Sequence, residues 1–505
     1  MIMNKSLNPN PLVRVTGKKP VELTKSDILS FIESEGIRMV SFKYPAQDGR
    51  LKSLDFVIND AEYLETILTQ GERVDGSSLF PAFVQPGKSD LYIVPRFRSA
   101  FVDPFAEIPT LDFLCSFFDS EGNRFECDPA ATLSRSVEAF HSSTGYSFEA
   151  MAELEYYVIA PEQPLFPGTE QKGYHESGPF MKHIPFRLKC MELIASCGGQ
   201  IKYGHSEVGC FGLDGKFYEQ NEIEFLPCPA EEAADQILIA KWIIRNLALQ
   251  YELDVTFAPK IIVGEAGSGM HVHMRIMDGE RNAMTEGGVL SDVARRAIAG
   301  MMKLAPSITA FGNKNPSSFL RLVPHQEAPT NICWGDSNRS ALVRVPLGWT
   351  SGKDLCAAAN PLETAGESGR MGSSKQTVEM RSPDGSADIY ELMAGLCVAC
   401  RVGLEMEPAE ALALAEQTYV AVNIHSKENS SMLSALSSLP ASCWGAADCL
   451  EKDRDIYESN GVFAPAMIDG VLKQLRTYGD SDLRERIDKD PSLVAELVAK
   501  YFYCG

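Results

Sequence analysis

Apolar residues recur along the chain at two spacings, and the switch between them marks its elements. AEEAADQILIAKWIIRNLALQYEL, from Ala230 to Leu253, places them at i, i+3, i+4 and i+7, which predicts a long amphipathic helix. SDVARRAIAGMMKLAPSITA, from Ser291, predicts another, and DPAATLSRSVEAFHSS opens a third with Pro129 in its first turn. TKSDILSFIESEG reads as a helix capped by Thr24 and Asp27 and stopped at Gly36. Period-two stretches predict strands instead. IRMVSFKY and LKSLDFVI flank the turn PAQDGR as a hairpin, followed by a helix at AEYLETILTQG and strands at LYIVP and DFLCSFF. The first twenty residues, with neither an apolar core segment nor a cleavage signal, read as a loose tail, and the last hundred as mainly helical.

Four strand-like segments break the usual pattern. In MAELEYYVIA, Glu153 and Glu155 fall on one face. In QNEIEFLP, Glu222 and Glu224 share a face opposite Ile223 and Phe225. In GSGMHVHMRI, His271 and His273 oppose Met270, Val272 and Met274. In QTVEMRSP, Glu379 and Arg381 oppose Val378 and Met380. Residues i and i+2 stand roughly 6.6 Å apart. Two carboxylates there repel by about 2–3 kcal/mol at an effective dielectric near 20. One such pair alone also reads as a solvated strand face. Four of them point to a shared cation site, because adjoining carboxylates either keep protons or hold cations. Carboxylates with one or two histidines suit Mg²⁺ or Mn²⁺ better than zinc.

Charge narrows the field. Acidic residues outnumber basic ones by 68 to 47, a net charge of −21, which disfavours nucleic acid and anionic membrane as partners. No apolar run is long enough to span a bilayer. Thirteen scattered cysteines fit a reducing cytoplasm, and the pair Cys397 and Cys400 lies in an apolar helical stretch that reads as core. Against the acidic background, SFLRLVPHQEAPTNICWGDSNRSALVRVP gathers Arg321, Arg339 and Arg344 around Glu327. Arginine forks match phosphate and carboxylate oxygens, so carboxylate cation sites beside arginines point to phosphoryl transfer. Ordinary ion pairing remains the other reading of those arginines. Neither a P-loop nor a dinucleotide-binding glycine motif is present.

Together VDGSS, ELEYY, QNEIEF, GSGMHVHM, RLVPHQEAP with NRSALVRVP, and VEMRSPDGSAD resemble the glutamine synthetase family, with the type I-like bacterial and archaeal members the nearest match in kind. The resemblance implies an α+β fold. A small β-grasp domain over residues 21–125 would follow the tail of residues 1–20, and a catalytic domain with a curved antiparallel sheet and flanking helices would span 126–505. It implies two Mg²⁺ or Mn²⁺ ions, one on Glu155, Glu207 and Glu222, the other on Glu153, His271 and Glu379. It implies a cytoplasmic ligase of nitrogen metabolism that converts L-glutamate, ammonium and ATP to glutamine through γ-glutamyl phosphate. Gln220, Gly267, Arg321 and Arg381 would bind substrate. His273, Arg339 and Arg344 would bind ATP, and Arg339 would also stabilise the phosphoryl group in transfer. Asp75 and Glu327 would serve the ammonium side. The resemblance also implies a dodecamer of two hexameric rings with sites between subunits, Asp75 serving its neighbour. No role follows for Glu224.

The chain departs from the family pattern at four places. GLDGKFYE lengthens the run between Glu207 and Glu222. Ala266 stands where the family commonly has Asn, and Thr377 where it has Arg. The run VNIHSKE, with His425, lacks the tyrosine that some members adenylylate. Two alternatives stay open: a γ-glutamyl ligase that uses an amine or polyamine, and a non-catalytic structural member.

Overall fold

The computed structural model describes residues 7–84, 87, 89–323, 328–348, 354–364, 375–424 and 436–505. Residues 7–20, expected as a loose tail, are ordered. Asn10 accepts a hydrogen bond from the Leu12 N–H and caps α1 (Pro11–Thr16), and Gly17 ends it in the left-handed region. Leu12 is fully buried in the first core, which is what ties the segment down.

That core belongs to the smaller unit. Strands β1 (Met39–Pro45) and β2 (Leu51–Val57) form the expected hairpin, with Pro45 opposite Leu51. β1 then pairs in parallel with β5 (Thr110–Phe118), which leads through β4 (Asp90–Pro95) to β3 (Glu72–Asp75). Helices α2 (Lys25–Ser34) and α3 (Ala61–Gln70) bury Ile28, Phe31 and Ile32, and Leu64, Ile67 and Leu68. This is the β-grasp arrangement.

The larger unit is built on a second sheet. Its strands are β6 (Ser147–Pro161), β7 (Ile201–Leu213), β8 (Lys216–Phe225), β9 (Met270–Asp278), β10 (Trp334–Asp336), β11 (Val343–Val345) and β12 (Val378–Met380). Their order is β10-β11-β12-β9-β6-β8-β7. The pairing is antiparallel except between β10 and β11. One face carries Leu154, Tyr156, Ile223, Phe225, Met270, Val272 and Met380, all buried in a common core. Helices α4 (Pro129–Thr144), α6 (Ala230–Gln250), α7 (Asp292–Gly312) and α8 (Ile389–Glu405) contribute to that core. The apolar faces predicted for the four odd strands therefore point to the helices. Cys397 and Cys400 are buried in α8, and burial pushes the Cys397 thiol up to about 12, so the pair is core. All thirteen cysteines are free thiols. Among the described residues no helix is long and apolar enough to cross a membrane.

Candidate active site

The opposite face of the large sheet is polar because the register brings the period-two residues side by side. Glu153 lies opposite His271 on one flank and Glu224 on the other. Glu155 lies opposite Glu222, which in turn faces His205. His273 faces Glu379, which faces Arg344. This face lines a cavity of about 1500 Å³.

Three of the expected ligands converge. Glu153, His271 and Glu379 each present an atom within 4.8 Å of the others. Glu153 Oε2 lies 2.9 Å from His271 Nδ1, and its Oε1 lies 2.9 Å from His273 Nε2. Burial pushes the Glu153 carboxyl up, but His273 and His271 outweigh it and hold it well below the usual range. The same contact raises His273 against the opposing effect of its burial. Glu379 is almost fully buried and accepts from Arg344 Nη1 at 3.0 Å and Arg381 Nε at 3.1 Å.

The second group differs from expectation. Glu207 and Glu222 come together with His205 rather than Glu155. His205 Nε2 is 3.2 Å from Glu222, and its Nδ1 is 3.5 Å from Glu207. The Glu155 carboxylate turns instead to the Gly269 N–H at 2.6 Å and to Gln220 Nε2 at 3.1 Å. Burial, then the charges of Glu153, Glu155, Glu207 and Glu224, raise Glu222 well above the usual carboxyl range. Glu224, without an assigned role, closes a further group with Glu153 and His273, and its Oε1 accepts from Lys202 Nζ at 2.6 Å.

A bulge places Glu207. The β7–β8 ladder is regular from Tyr203–Glu224 to Ser206–Asn221 and resumes at Cys210–Glu219, so Glu207, Val208 and Gly209 face Gln220 alone. Bulges re-aim side chains in this way beside active sites. Gln220 closes the gap, its Oε1 accepting from the Gly209 N–H at 2.9 Å while its Nε2 donates to the Gly267 carbonyl at 3.1 Å. The lengthened run GLDGKFYE forms the far end of the hairpin, turning at Asp214 and Gly215, both at positive φ.

The arginines sit at the cavity in different states. Arg321 is buried, donating to the Ser382 carbonyl at 2.9 Å, with Nη2 3.4 Å from His271 Nε2. Arg339 is exposed, its guanidinium 5.9 Å from the Tyr174 ring. Arg381 also donates from Nη1 to the Arg339 carbonyl, which ties the two together. Thr377 turns its hydroxyl to His273 Nδ1 at 2.9 Å. Ala266 donates its N–H to Gln171 and accepts from the Tyr157 hydroxyl. Asp75 does not line this cavity. It is exposed, and Ser78 and Ser77 hold its carboxyl down to about 2. Glu327 and His425 lie outside the described residues.

Two functional candidates escaped the sequence reading. His205 stands two residues before Glu207, the same spacing that marked the other pairs. Tyr174 reaches the cavity from an irregular segment whose His175 N–H bonds the Ser206 carbonyl, and no periodicity marks it.

Comparison with known proteins agrees with this architecture. Residues 36–120 match the glutamine synthetase β-grasp domain, and residues 126–477 match the glutamine synthetase catalytic domain. A glutamine synthetase from Mycolicibacterium smegmatis is 28% identical over 495 residues, covering 90% of this chain and 95% of that one. One from Thermotoga maritima is 29% identical over 452 residues, covering 87% and 92%. Among solved structures, GmaS in complex with ADP superposes with a TM-score of 0.70 at 18% identity, covering 91% of this chain and 99% of that one.

Proposed function

The chain belongs to the glutamine synthetase family, and on that premise we propose that it ligates ammonia to the γ-carboxylate of L-glutamate at the expense of ATP. The observation that carries this reading is the polar face itself: two cation-ligand groups side by side in one cavity, with Arg344 and Arg381 both bonded to Glu379.

The donor set fits the metals this family uses. It is carboxylate oxygen with one imidazole in each group, and it contains no thiolate. Glu153, His271 and Glu379 would hold one Mg²⁺ or Mn²⁺, and Glu207 and Glu222 the other, with His205 and Glu155 at its sides. Bound there, the ions supply positive charge to phosphate and carboxylate oxygens.

The chain's own residues do the rest. Arg344 and Arg339 offer guanidinium forks to the ATP phosphates, and Arg339 stays exposed to meet the group in transfer. His273, with its imidazole fixed between Glu153 and Thr377, presents a rigid wall on the nucleotide side. Glutamate binds against Gln220, Gly267, Arg321 and Arg381, with its γ-carboxylate aimed at the γ-phosphate. Attack forms the carbon–oxygen–phosphorus link of γ-glutamyl phosphate and releases ADP. Ammonium then loses a proton, the resulting ammonia attacks the acyl carbon, and phosphate leaves. Asp75 and Glu327 are assigned to the ammonium side. Asp75 is exposed and away from its own cavity, which supports a ring assembly in which it serves the neighbouring subunit.

A second reading has its own support. GmaS, a γ-glutamylmethylamide synthetase, shares the fold, and Ala266 removes an amide from the substrate wall. The test is phosphate release from ATP with Mg²⁺ or Mn²⁺ and glutamate, comparing ammonium with a panel of primary amines. Release that depends on ammonium, with glutamine as product, upholds the proposal. Release only with an amine moves the chain to the amide-forming branch. Silence with every nucleophile overturns both.

A further inference from the structure

We propose that Arg187 is a positioning residue that sets the His205–Glu207–Glu222 group for its cation. The inference rests on reading that group as a cation site. Arg187 projects from α5 (Ile184–Ser196), which packs against β7. Its Nη1 donates to Ser206 Oγ at 3.0 Å and to Asn221 Oδ1 at 2.6 Å. These two residues are partners across the strands, and they form the last regular pair before the bulge.

That location gives the contact its consequence. Between Ser206 and Cys210 the backbone ladder does not dictate where β7 stands relative to β8. Side chains alternate along a strand, so Ser206 and Asn221 face back toward the helix while His205, Glu207 and Glu222 face the cavity. One guanidinium thus links the reverse sides of the ligand-bearing segments at the edge of the bulge. Groups behind metal ligands that fix their orientation act on metal affinity in this way.

The helix comes this close because Gly204 has no side chain. A Cβ there would meet Met191 Sδ at 2.8 Å and Arg187 Cδ at 3.4 Å. Arg187 itself is only 6% exposed, and its Nε has no hydrogen-bond partner. Burying a guanidinium on two neutral acceptors is unfavourable unless the bonds it makes are needed. An apolar side chain of similar length would fill the same space without that cost, but it would leave Ser206 and Asn221 unlinked.

The experiment is Mn²⁺ binding to the metal-stripped full chain by isothermal titration calorimetry. Wild type is compared with Arg187→Met, which keeps the packing, and with Arg187→Lys combined with Asn221→Asp, which rebuilds a charged link. A Glu379→Gln control identifies the sites of the other group. The expected result is that Arg187→Met weakens one class of site by about 10- to 100-fold, leaves the Glu379-dependent class unchanged, and recovers most of the loss in the double variant. Ser206→Ala, which removes one arm only, should fall between and serves if Arg187→Met does not fold. The proposal is overturned if Arg187→Met or Ser206→Ala binds like wild type at both classes. Equal weakening of both classes with a lowered melting temperature overturns it too, since that marks general support. Wild type that binds no Mn²⁺ would instead remove the reading of the group as a cation site, and the inference with it.

Discussion

Two guanidinium groups close on Glu379, and two imidazoles stand within 4.0 Å of it. A buried carboxylate so surrounded does two things at once. It fixes Arg344 and Arg381 in the cavity wall, and it offers a ligand atom beside Glu153 and His271. Glu379→Gln preserves the shape and one acceptor oxygen but removes the charge. The expected outcome is a fall in phosphate release of about two orders of magnitude or more, the scale seen when a transition-state electrostatic contact is lost. The oligomer seen by mass photometry should be unchanged. Wild-type turnover would remove Glu379 from the site. Residues of this kind were legible in the sequence because a strand's period of two announces which side chains share a face. His205 carried the same spacing before Glu207. That Glu155 Oε2 bonds the Gly269 N–H and Gln220 was not legible, because those partners lie far from it in sequence.

Among the elements, the β7–β8 pair shows where pattern reading ends. Alternation marks β8 through QNEIEF. It does not mark the bulge, since an extra residue is defined only by what the partner strand fails to match. Gly209 carries the consequence. A Cβ at this position would lie 1.9 Å from the Tyr157 hydroxyl oxygen and 2.6 Å from Gln220 Oε1. Tyr157 cannot easily retreat, because its hydroxyl donates to the Ala266 carbonyl at 2.7 Å. Gly209→Ala therefore shifts the bulge, Gln220 and the Ala266 wall together. Overpacking of this size costs about 1–3 kcal/mol. The expected outcome is a lower melting temperature together with a raised KM for glutamate, read by thermal melts and steady-state kinetics. A lower melting temperature with KM unchanged would separate the bulge from the substrate wall.

At the scale of the molecule, the two units meet through charge as well as apolar surface. Arg96, which follows β4, donates to Asp235 on α6 at 2.9 and 3.1 Å. Lys43 on β1 lies over the Trp242 ring of α6 at 4.6 Å and 3.0 Å from Asp112 Oδ2 on β5. The existence of two units was legible from the change in element pattern, but not this junction, because its partners are far apart in sequence and each reads alone as an ordinary polar strand residue. The Lys43 ammonium opposes the burial of Asp112 but does not outweigh it. Burial therefore prevails over Lys43 and pushes the carboxyl up to about 8. An unfolded aspartate titrates near 3.9. Between those values the folded chain holds a proton that the unfolded chain has released, so stability must fall as pH rises. The contribution is complete below about pH 4 and is lost as pH climbs through about 8. Asp112→Asn keeps the shape and cannot titrate. The stability of wild type relative to this variant should therefore decline from pH 5 to pH 8, approaching about 1.4 kcal/mol per pH unit, as read by denaturant titration at each pH. Parallel profiles would show that Asp112 does not titrate in this window. Such profiles are what an Asp112 already ionised in the folded chain, as the counter-ion of Lys43, would give.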